Sequence, residues 1–367
     1  MPFSSQDYQF MAQALRLARA GVYTADPNPR VGCVIVANGE VVGEGWHQYA
    51  GGPHAEIVAL QQAGARARGA TVYVTLEPCC HFGKTPPCVV ALLDAGVARV
   101  VAAMDDPFPE VAGQGLAQLA QAGVIVETGL LGDEAARLNR GFVSRCQRKR
   151  PFVRCKLAAS LDGRTAMASG ESQWITSAAA RADVQRLRAS TSAILTGIDT
   201  ILRDNPRMTA RVDEPVTPPV RVVADSRLRF PRAARMLGEA GQTWIATASR
   251  DAEIRAMLEK TGVRIVDTPL ASDSRRLDLV ALLEVLAAEQ INDVMVEAGP
   301  TLSGALLAAG LIDELIMYCA PHLMGDRANP LFWLPGIDKM SQRLPLAIED
   351  VRMIGDDIRI ISRPRSD

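Results

Sequence analysis

The stretch that most restricts how this chain can fold runs from His54 to Cys88. It opens with Gly52-Pro53-His54-Ala55-Glu56 and closes with Glu77-Pro78-Cys79-Cys80-His81-Phe82-Gly83-Lys84-Thr85-Pro86-Pro87-Cys88. One imidazole (His54) and two thiolates (Cys79 and Cys88) fill three positions around a tetrahedral zinc and leave the fourth for water. The apolar spacing after Glu56 (Ile57, Val58, Leu60) reads as a helix. At a helix start, His54 and Glu56 both reach forward into one pocket. Zinc lowers the pKa of its bound water towards neutrality. Glu56, beside the metal but not bound to it, is placed to carry that proton to a leaving amine.

Blander readings compete with this one. A free Cys is commonly a buried small hydrophobe. A closed structural zinc site takes a fourth Cys or His, and Cys80 or His81 would supply it. Glu56 weighs against the closed site, because structural zinc has no use for a carboxylate two residues after its histidine. Cys80 is read as a neighbour of the ligands. H-x-E followed by P-C-x-x-C is the spacing of zinc-dependent nucleobase deaminases. Here the second half is stretched, with eight residues between Cys79 and Cys88.

A chain of 367 residues is long for one core, so two domains are expected. The net charge of −1 and the lack of a long basic run speak against a nucleic-acid footprint. No stretch of about 18 apolar residues suggests a membrane span, and no secretory leader pattern opens the sequence. Seven cysteines, two of them adjacent, suit a reducing cytosol better than a disulfide framework, so a cytoplasmic protein is expected.

Residues 7–20 read as an amphipathic helix with Phe10, Met11, Ala14, Leu15 and Ala18 on one face. Asn38-Gly39 is a hairpin turn joining strands over 31–36 and 41–46. The helix from His54 leads to a strand over 71–76, whose end delivers Glu77-Pro78-Cys79. Pro86-Pro87 starts a helix with Cys88 in its first turn. Two helix N-termini then face one metal and favour thiolate over thiol. Strands over 99–104 and 124–128 with a helix over 114–122 complete a mixed sheet with helices on its faces. The basic stretch from Arg145 to Pro151 ends a helix, and the linker is placed there. Strands then follow at 152–157, 193–196, 220–224, 243–247, 263–266, 293–297 and 314–319, with helices at 178–189, 252–260 and 279–288. Neither G-x-G-x-x-G nor a Walker A sequence occurs in this half. Val296-Glu297-Ala298-Gly299-Pro300-Thr301-Leu302-Ser303-Gly304-Ala305 instead runs a strand through a Gly-containing turn into a helix, whose free N–H groups suit a phosphate.

The longer form Glu-Pro-Cys-x-His-x-Gly-x-Thr-Pro-Pro-Cys, with Pro27-Asn28-Pro29-Arg30-Val31-Gly32, resembles the bifunctional riboflavin-biosynthesis deaminase/reductase family. Lys156-Leu157-Ala158-Ala159-Ser160-Leu161-Asp162-Gly163, Ser172-Gln173-Trp174-Ile175-Thr176 and Glu297-Ala298-Gly299-Pro300-Thr301 look like its reductase half, so the resemblance covers nearly the whole chain. It implies an α/β protein: a cytidine-deaminase-like α/β/α zinc domain over 1–149, then an NADPH-using, dihydrofolate-reductase-like α/β domain over 150–367. It implies hydrolytic deamination of 2,5-diamino-6-(5-phosphoribosylamino)pyrimidin-4-one, then reduction of the ribosyl chain to ribityl. Carried over residue by residue, His54, Cys79 and Cys88 hold zinc and Glu56 is catalytic. Asn28, His47, His81 and Lys84 contact the deaminase substrate. Ala158, Trp174, Thr200, Asp204, Ser226 and the turn Gly299, Pro300, Thr301, Leu302, Ser303, Gly304 and Ala305 hold the dinucleotide. Ser172, Arg188, Met208, Arg211 and Glu297 hold the sugar-phosphate, with Arg188 and Arg211 as a fork for the phosphate ester and Met208 as a packing contact only. Without the resemblance, Asn28 is a turn former, His47 a strand-end histidine, Trp174 core packing, and Arg188 a solvated helix face. The one departure is Asp105-Asp106-Pro107-Phe108-Pro109, where the family reads Asp-Pro-Asn-Pro and Phe108 replaces a polar side chain. The implied partner is a small-molecule pyrimidine ribotide, in a homo-oligomer, with no nucleic acid and no membrane.

Two rival readings belong to other classes. A nucleic-acid-editing deaminase needs a basic face and stacking aromatics, and aromatics make up only 5% of this chain. A second domain that senses nucleotide without turnover would bind NADPH and leave it unoxidised.

Overall fold

The computed structural model describes residues 3–80, 87–109, 111–272 and 275–365. His81 and Lys84 lie outside them. The chain divides into two compact units, Met1–Lys149 and Arg150–Asp367.

The first unit runs α1 (Ser5–Ala20), β1 (Gly32–Ala37), β2 (Glu40–Trp46), α2 (Ala55–Ala63), β3 (Thr71–Val74), α3 (Cys88–Ala95), β4 (Arg99–Ala102), α4 (Gln114–Gln121), β5 (Ile125–Thr128), α5 (Gly132–Leu138) and α6 (Arg140–Arg148). Its sheet has the order β2-β1-β3-β4-β5. β1 is antiparallel to both neighbours, and β3, β4 and β5 are parallel. Strands buried on both faces read as unbroken apolar runs. Cys33 and Ile35 accordingly pack under α2, α3 and α4, while Val34 and Val36 face Met11, Ala14 and Leu15 of α1. Asp7 fastens α1 to the sheet: its carboxylate accepts from Ser4 at the helix cap, from the Tyr73 hydroxyl at 2.7 Å and from Arg99 at 2.7 Å.

Close backbone contact sets where α2 lies. A Cβ on Gly43 would stand 2.2 Å from the Ala59 carbonyl oxygen, and one on Gly45 would stand 2.3 Å from that of Ala55. Two glycines on β2 thus let the helix carrying His54 and Glu56 rest directly on the sheet.

The second unit runs β6 (Phe152–Ser160), β7 (Arg164–Ala166), α7 (Ala178–Ala189), β8 (Ala193–Gly197), α8 (Ile198–Asp204), β9 (Val220–Ala224), β10 (Thr243–Thr247), α9 (Ala252–Glu259), β11 (Val263–Asp267), α10 (Leu279–Ala288), β12 (Asp293–Val296), α11 (Pro300–Ala308), β13 (Glu314–Ala320), β14 (Asn329–Pro330), β15 (Leu346–Ile354) and β16 (Asp357–Pro364). The main sheet has the order β11-β10-β9-β8-β12-β6-β13-β16-β15. It is parallel from β11 to β13, and the hairpin β15–β16 joins antiparallel. The repeating strand–helix reading missed this hairpin, because β15 is exposed along much of its length and lacks a buried alternation. α10 and α11 cover one face, where Leu282, Leu286 and Leu306 meet Val153, Leu195 and Val294. α8 and α9 cover the other, through Ile201 and Leu258.

The chain reverses direction across the sheet at β12. β8 to β11 build outward on one side, β12 fills the gap beside β6, and β13 continues on the far side. Open parallel sheets bind ligands in the crevice outside the strand carboxyl ends at such a reversal.

Candidate functional sites

Three elements bring the zinc donors together in the first unit. His54 caps the N-terminus of α2, Cys79 follows β3, and Cys88 is the first residue of α3. His54 Nδ1 lies 3.2 Å from Cys88 Sγ and 3.5 Å from Cys79 Sγ, and all three donor atoms lie within 4.8 Å of one another. Zinc bond lengths put tetrahedral ligand atoms roughly 3.5–3.8 Å apart, so this N, S, S set fits the ion. The Cys79 thiol is held low by the Cys88 thiol and by His54, and it accepts the Cys88 backbone N–H at 3.3 Å. The hydrogen bond to Cys79 and burial push the Cys88 thiol up.

Glu56 is 3% exposed. Burial pushes its carboxyl up to about 6, against the opposing pull of the His54 cation. Beside the donors, His47 is held by a defined network. Its Nδ1 lies 3.1 Å from the Pro53 carbonyl oxygen and its Nε2 lies 3.0 Å from the Asn28 amide nitrogen. A carbonyl only accepts, so Nδ1 carries the proton and Nε2 accepts from Asn28. Burial pushes the His47 pKa down. Its ring meets His54 edge-on, with centroids 5.5 Å apart.

Glu77 does structural work that the motif reading did not assign. Its buried carboxylate accepts four backbone N–H groups: Asp106 at 3.0 Å, Gly113 at 2.8 Å, Gly115 at 2.9 Å and Leu116 at 3.2 Å. This ties the loop after β4 and the start of α4 to the segment carrying Cys79. Phe108 donates its N–H to Asp106 and packs beside Leu76, Phe142 and Cys146. An apolar side chain at that position therefore joins a small core.

In the second unit a cleft of about 930 Å³ opens at the strand carboxyl ends. It gathers Ala158, Ser172, Thr200, Asp204, Ser226, Glu297, Gly299, Pro300, Thr301, Leu302 and Ala305. Gly299 caps α11, so the free N–H groups of the first turn face the cleft. Glu297, just past β12, is clamped: Arg188 Nε and Nη2 donate to its two oxygens at 2.6 and 2.9 Å, and Lys156 Nζ stands 3.9 Å away. Burial raises the Glu297 carboxyl, but the Arg188 and Lys156 cations overcome it and hold it down at about 2.

Similarity to known proteins follows this division. The family described as the cytidine and deoxycytidylate deaminase zinc-binding region matches residues 4–104, and the RibD C-terminal domain matches 151–360. The riboflavin biosynthesis protein RibD of Escherichia coli (strain K12) is 50% identical over 96% of this chain and 98% of its own length. That of Haemophilus influenzae is 46% identical over 100% of this chain and 99% of its own. The chain belongs to the RibD family. Among solved structures, Acinetobacter baumannii RibD (form 1) superposes with a TM-score of 0.92 at 45% identity, covering 98% of this chain and 99% of that one. The diaminohydroxyphosphoribosylaminopyrimidine deaminase/5-amino-6-(5-phosphoribosylamino)uracil reductase of Thermotoga maritima gives 0.86 at 32% identity, covering 98% and 99%. As a RibD protein, the chain is a bifunctional riboflavin-pathway enzyme, a zinc-dependent deaminase and an NADPH-dependent reductase, with a cytidine-deaminase-like domain followed by a RibD reductase domain. It acts on a small molecule, and no helix among the described residues is long and apolar enough to cross a membrane.

Not every residue carried over from the RibD pattern lines the cleft. Met208 is buried with Ile194, Ile201 and Val223. Ser303 and Gly304 turn inward: Ser303 donates to the Ala298 carbonyl, and a Cβ on Gly304 would meet the Trp333 carbonyl oxygen at 2.2 Å. Trp174 is 70% exposed and stacks under Arg181. Arg188 and Arg211 converge on Thr209, Arg188 through the carbonyl at 3.1 Å and Arg211 through the hydroxyl at 2.9 Å. Glu297 engages the rest of the Arg188 fork, which leaves Arg211 as the outward-facing cation. Lys156, Arg203 and Arg276 also line the cleft and were not assigned there from sequence. For Lys156 a signal existed, since it sits two residues before Ala158 on the same face of β6.

Proposed function

We propose that the two activities divide at the boundary between Lys149 and Arg150. Residues 1–149 deaminate 2,5-diamino-6-(5-phosphoribosylamino)pyrimidin-4-one, and 150–367 reduce the ribosyl chain of the product. The convergence of His54, Cys79 and Cys88 beside a buried Glu56 carries the first half of this reading. Zinc held by these three would supply a water made acidic enough to attack at neutral pH. Glu56 takes a proton from that water and returns it to the departing nitrogen, so ammonia leaves. Asn28 and His47 form one wall of the pocket and keep a fixed donor pattern towards the pyrimidine. His81 and Lys84 complete the substrate contacts in this reading.

In the second unit NADPH supplies hydride. The first turn of α11 holds the pyrophosphate on its N–H groups. Ala158, Trp174, Thr200, Asp204 and Ser226 flank the dinucleotide. Glu297, Lys156, Ser172, Arg188 and Arg211 hold the sugar-phosphate at the opposite end, with Met208 backing them from the core. Burial and the fixed charges around Glu297 keep water from competing for these groups.

The chain works in the cytoplasm, on a small molecule and without nucleic acid, as a homo-oligomer. What supports the last point is the sheet face opposite α7. Ile348, Val351 and Met353 of β15 are 66%, 57% and 60% exposed, and they continue a row through Ile358, Ile360 and Met317. A second copy covering this row would account for so much exposed apolar surface.

The test follows ammonia and NADPH together when the purified chain meets the diaminopyrimidine ribotide. Ammonia release with matching NADPH loss is expected. Ammonia without NADPH loss would reduce the second unit to a nucleotide sensor.

A further inference from the structure

Asn139 stands between α5 and α6, where it ends one helix and begins the next. An asparagine at a helix start ordinarily turns its side-chain oxygen to the N–H groups of the first turn. Asn139 makes no such bond to α6. Its side chain, 3% exposed, reaches instead to a residue 109 positions earlier. Oδ1 accepts the Arg30 N–H at 2.8 Å, and Nδ2 donates to the Arg30 carbonyl at 2.9 Å. One amide thus meets both backbone groups of one residue, as a neighbouring strand would. The match needs a donor and an acceptor side by side, which an ionised aspartate of the same size lacks.

The place of this contact gives it a use. β1 begins at Gly32, so the ladder that fixes the strand starts beyond Arg30. Val31 accepts the His47 N–H at 2.9 Å and packs with Phe142 and Cys146 of α6. The Arg30 guanidinium adds a further tie, donating to the Leu138 carbonyl at 2.8 Å at the end of α5. The Asn139 amide therefore carries the order of the strand back towards Asn28. Pro29 stands between Asn28 and Arg30 with its φ fixed by the ring, so a shift at Arg30 passes to Asn28. Asn28 in turn meets His47 Nε2 at 3.0 Å.

We propose that Asn139 is a positioning residue for deamination: by holding both backbone groups of Arg30, it sets where Asn28 and His47 meet the pyrimidine. The proposal rests on the reading of Asn28 and His47 as one wall of the pyrimidine pocket.

The experiment compares N139A, N28A and the double variant in the full-length chain, following ammonia release as the diaminopyrimidine ribotide is raised. N139A raises KM roughly tenfold and leaves kcat within about threefold, because a wall that holds the ring contributes to binding more than to proton transfer. Zinc content and NADPH oxidation on the deaminated substrate stay at the wild-type level. N28A raises KM to a similar extent, and adding N139A to it changes KM by less than about twofold, because one residue acts through the other. N139D keeps the size and the acceptor but cannot donate to the Arg30 carbonyl; it raises KM as well, and it carries the comparison if N139A does not fold. Losses that multiply in the double variant, a fall confined to kcat, or zinc lost together with activity would overturn the positioning role. A normal KM in N139A and N139D beside a raised KM in N28A would overturn it too, with the pocket wall left standing. A normal KM in N28A overturns the pocket-wall reading and the positioning role with it.

Discussion

Glu56 and Glu297 are both buried carboxylates at functional sites, and their surroundings drive them in opposite directions. At Glu56 burial outweighs the pull of the His54 cation, and its carboxyl rises to about 6. Glu297 sits between Arg188 and Lys156, so it falls to about 2. Burial alone therefore does not say what a carboxylate will do; the neighbouring cations decide. The first is suited to exchanging protons. The second is a fixed charge that organises other groups.

Glutamine at each position should separate these roles most sharply. E56Q is expected to lower ammonia release by roughly 10²–10⁴-fold, the usual worth of a general acid–base. Zinc content by metal analysis and NADPH oxidation on the deaminated substrate should both stay at the wild-type level. Retained deaminase activity would remove Glu56 from the proton-shuttle role.

E297Q should act first on stability. It strands Arg188 and Lys156 in a buried site, a loss of about 3–5 kcal/mol for a broken buried pair, read as a lower denaturation midpoint. The pH dependence has a definite sign. The folded carboxyl is held below its ordinary value of 4.5, so its stabilising contribution is fully present above that value and is lost as pH falls towards about 2. An acid titration of stability over that window should flatten in E297Q. An unchanged profile would mean that the Arg188 clamp contributes nothing.

Two smaller effects test how each centre is supported. E77Q keeps one acceptor oxygen but turns an NH₂ group towards backbone donors, at a cost of about 1–3 kcal/mol. Zinc occupancy should fall while the second unit keeps its NADPH affinity. G45A forces a methyl group against the Ala55 carbonyl and should lift α2, at a cost of about 1–2 kcal/mol. Deaminase turnover should drop several-fold with reduction unchanged. Equal losses of both activities in either variant would mean that the units are not independent.

The deaminase centre was largely legible because its chemistry is local. His54 and Glu56 share one helix start, Cys79 and Cys88 lie nine residues apart, and each of the three zinc donors directly follows a proline. The reductase cleft was less so. Its walls come from positions more than a hundred residues apart, and without the resemblance Arg188 read as a solvated helix face when it is the partner of Glu297. Met208 is buried in the core, in keeping with its reading from sequence as a packing contact only.

The sequence by itself determined the alternation of strands and helices, the donor set for zinc and the turn before α11, because periodicity and ligand chemistry act over a few residues. Only the tertiary structure decided that Glu77 spends its carboxylate on four backbone N–H groups, that Arg188 belongs to Glu297, and that the chain reverses at β12 to open a crevice. Those outcomes depend on which segments become neighbours in space, and packing of the whole sheet settles that.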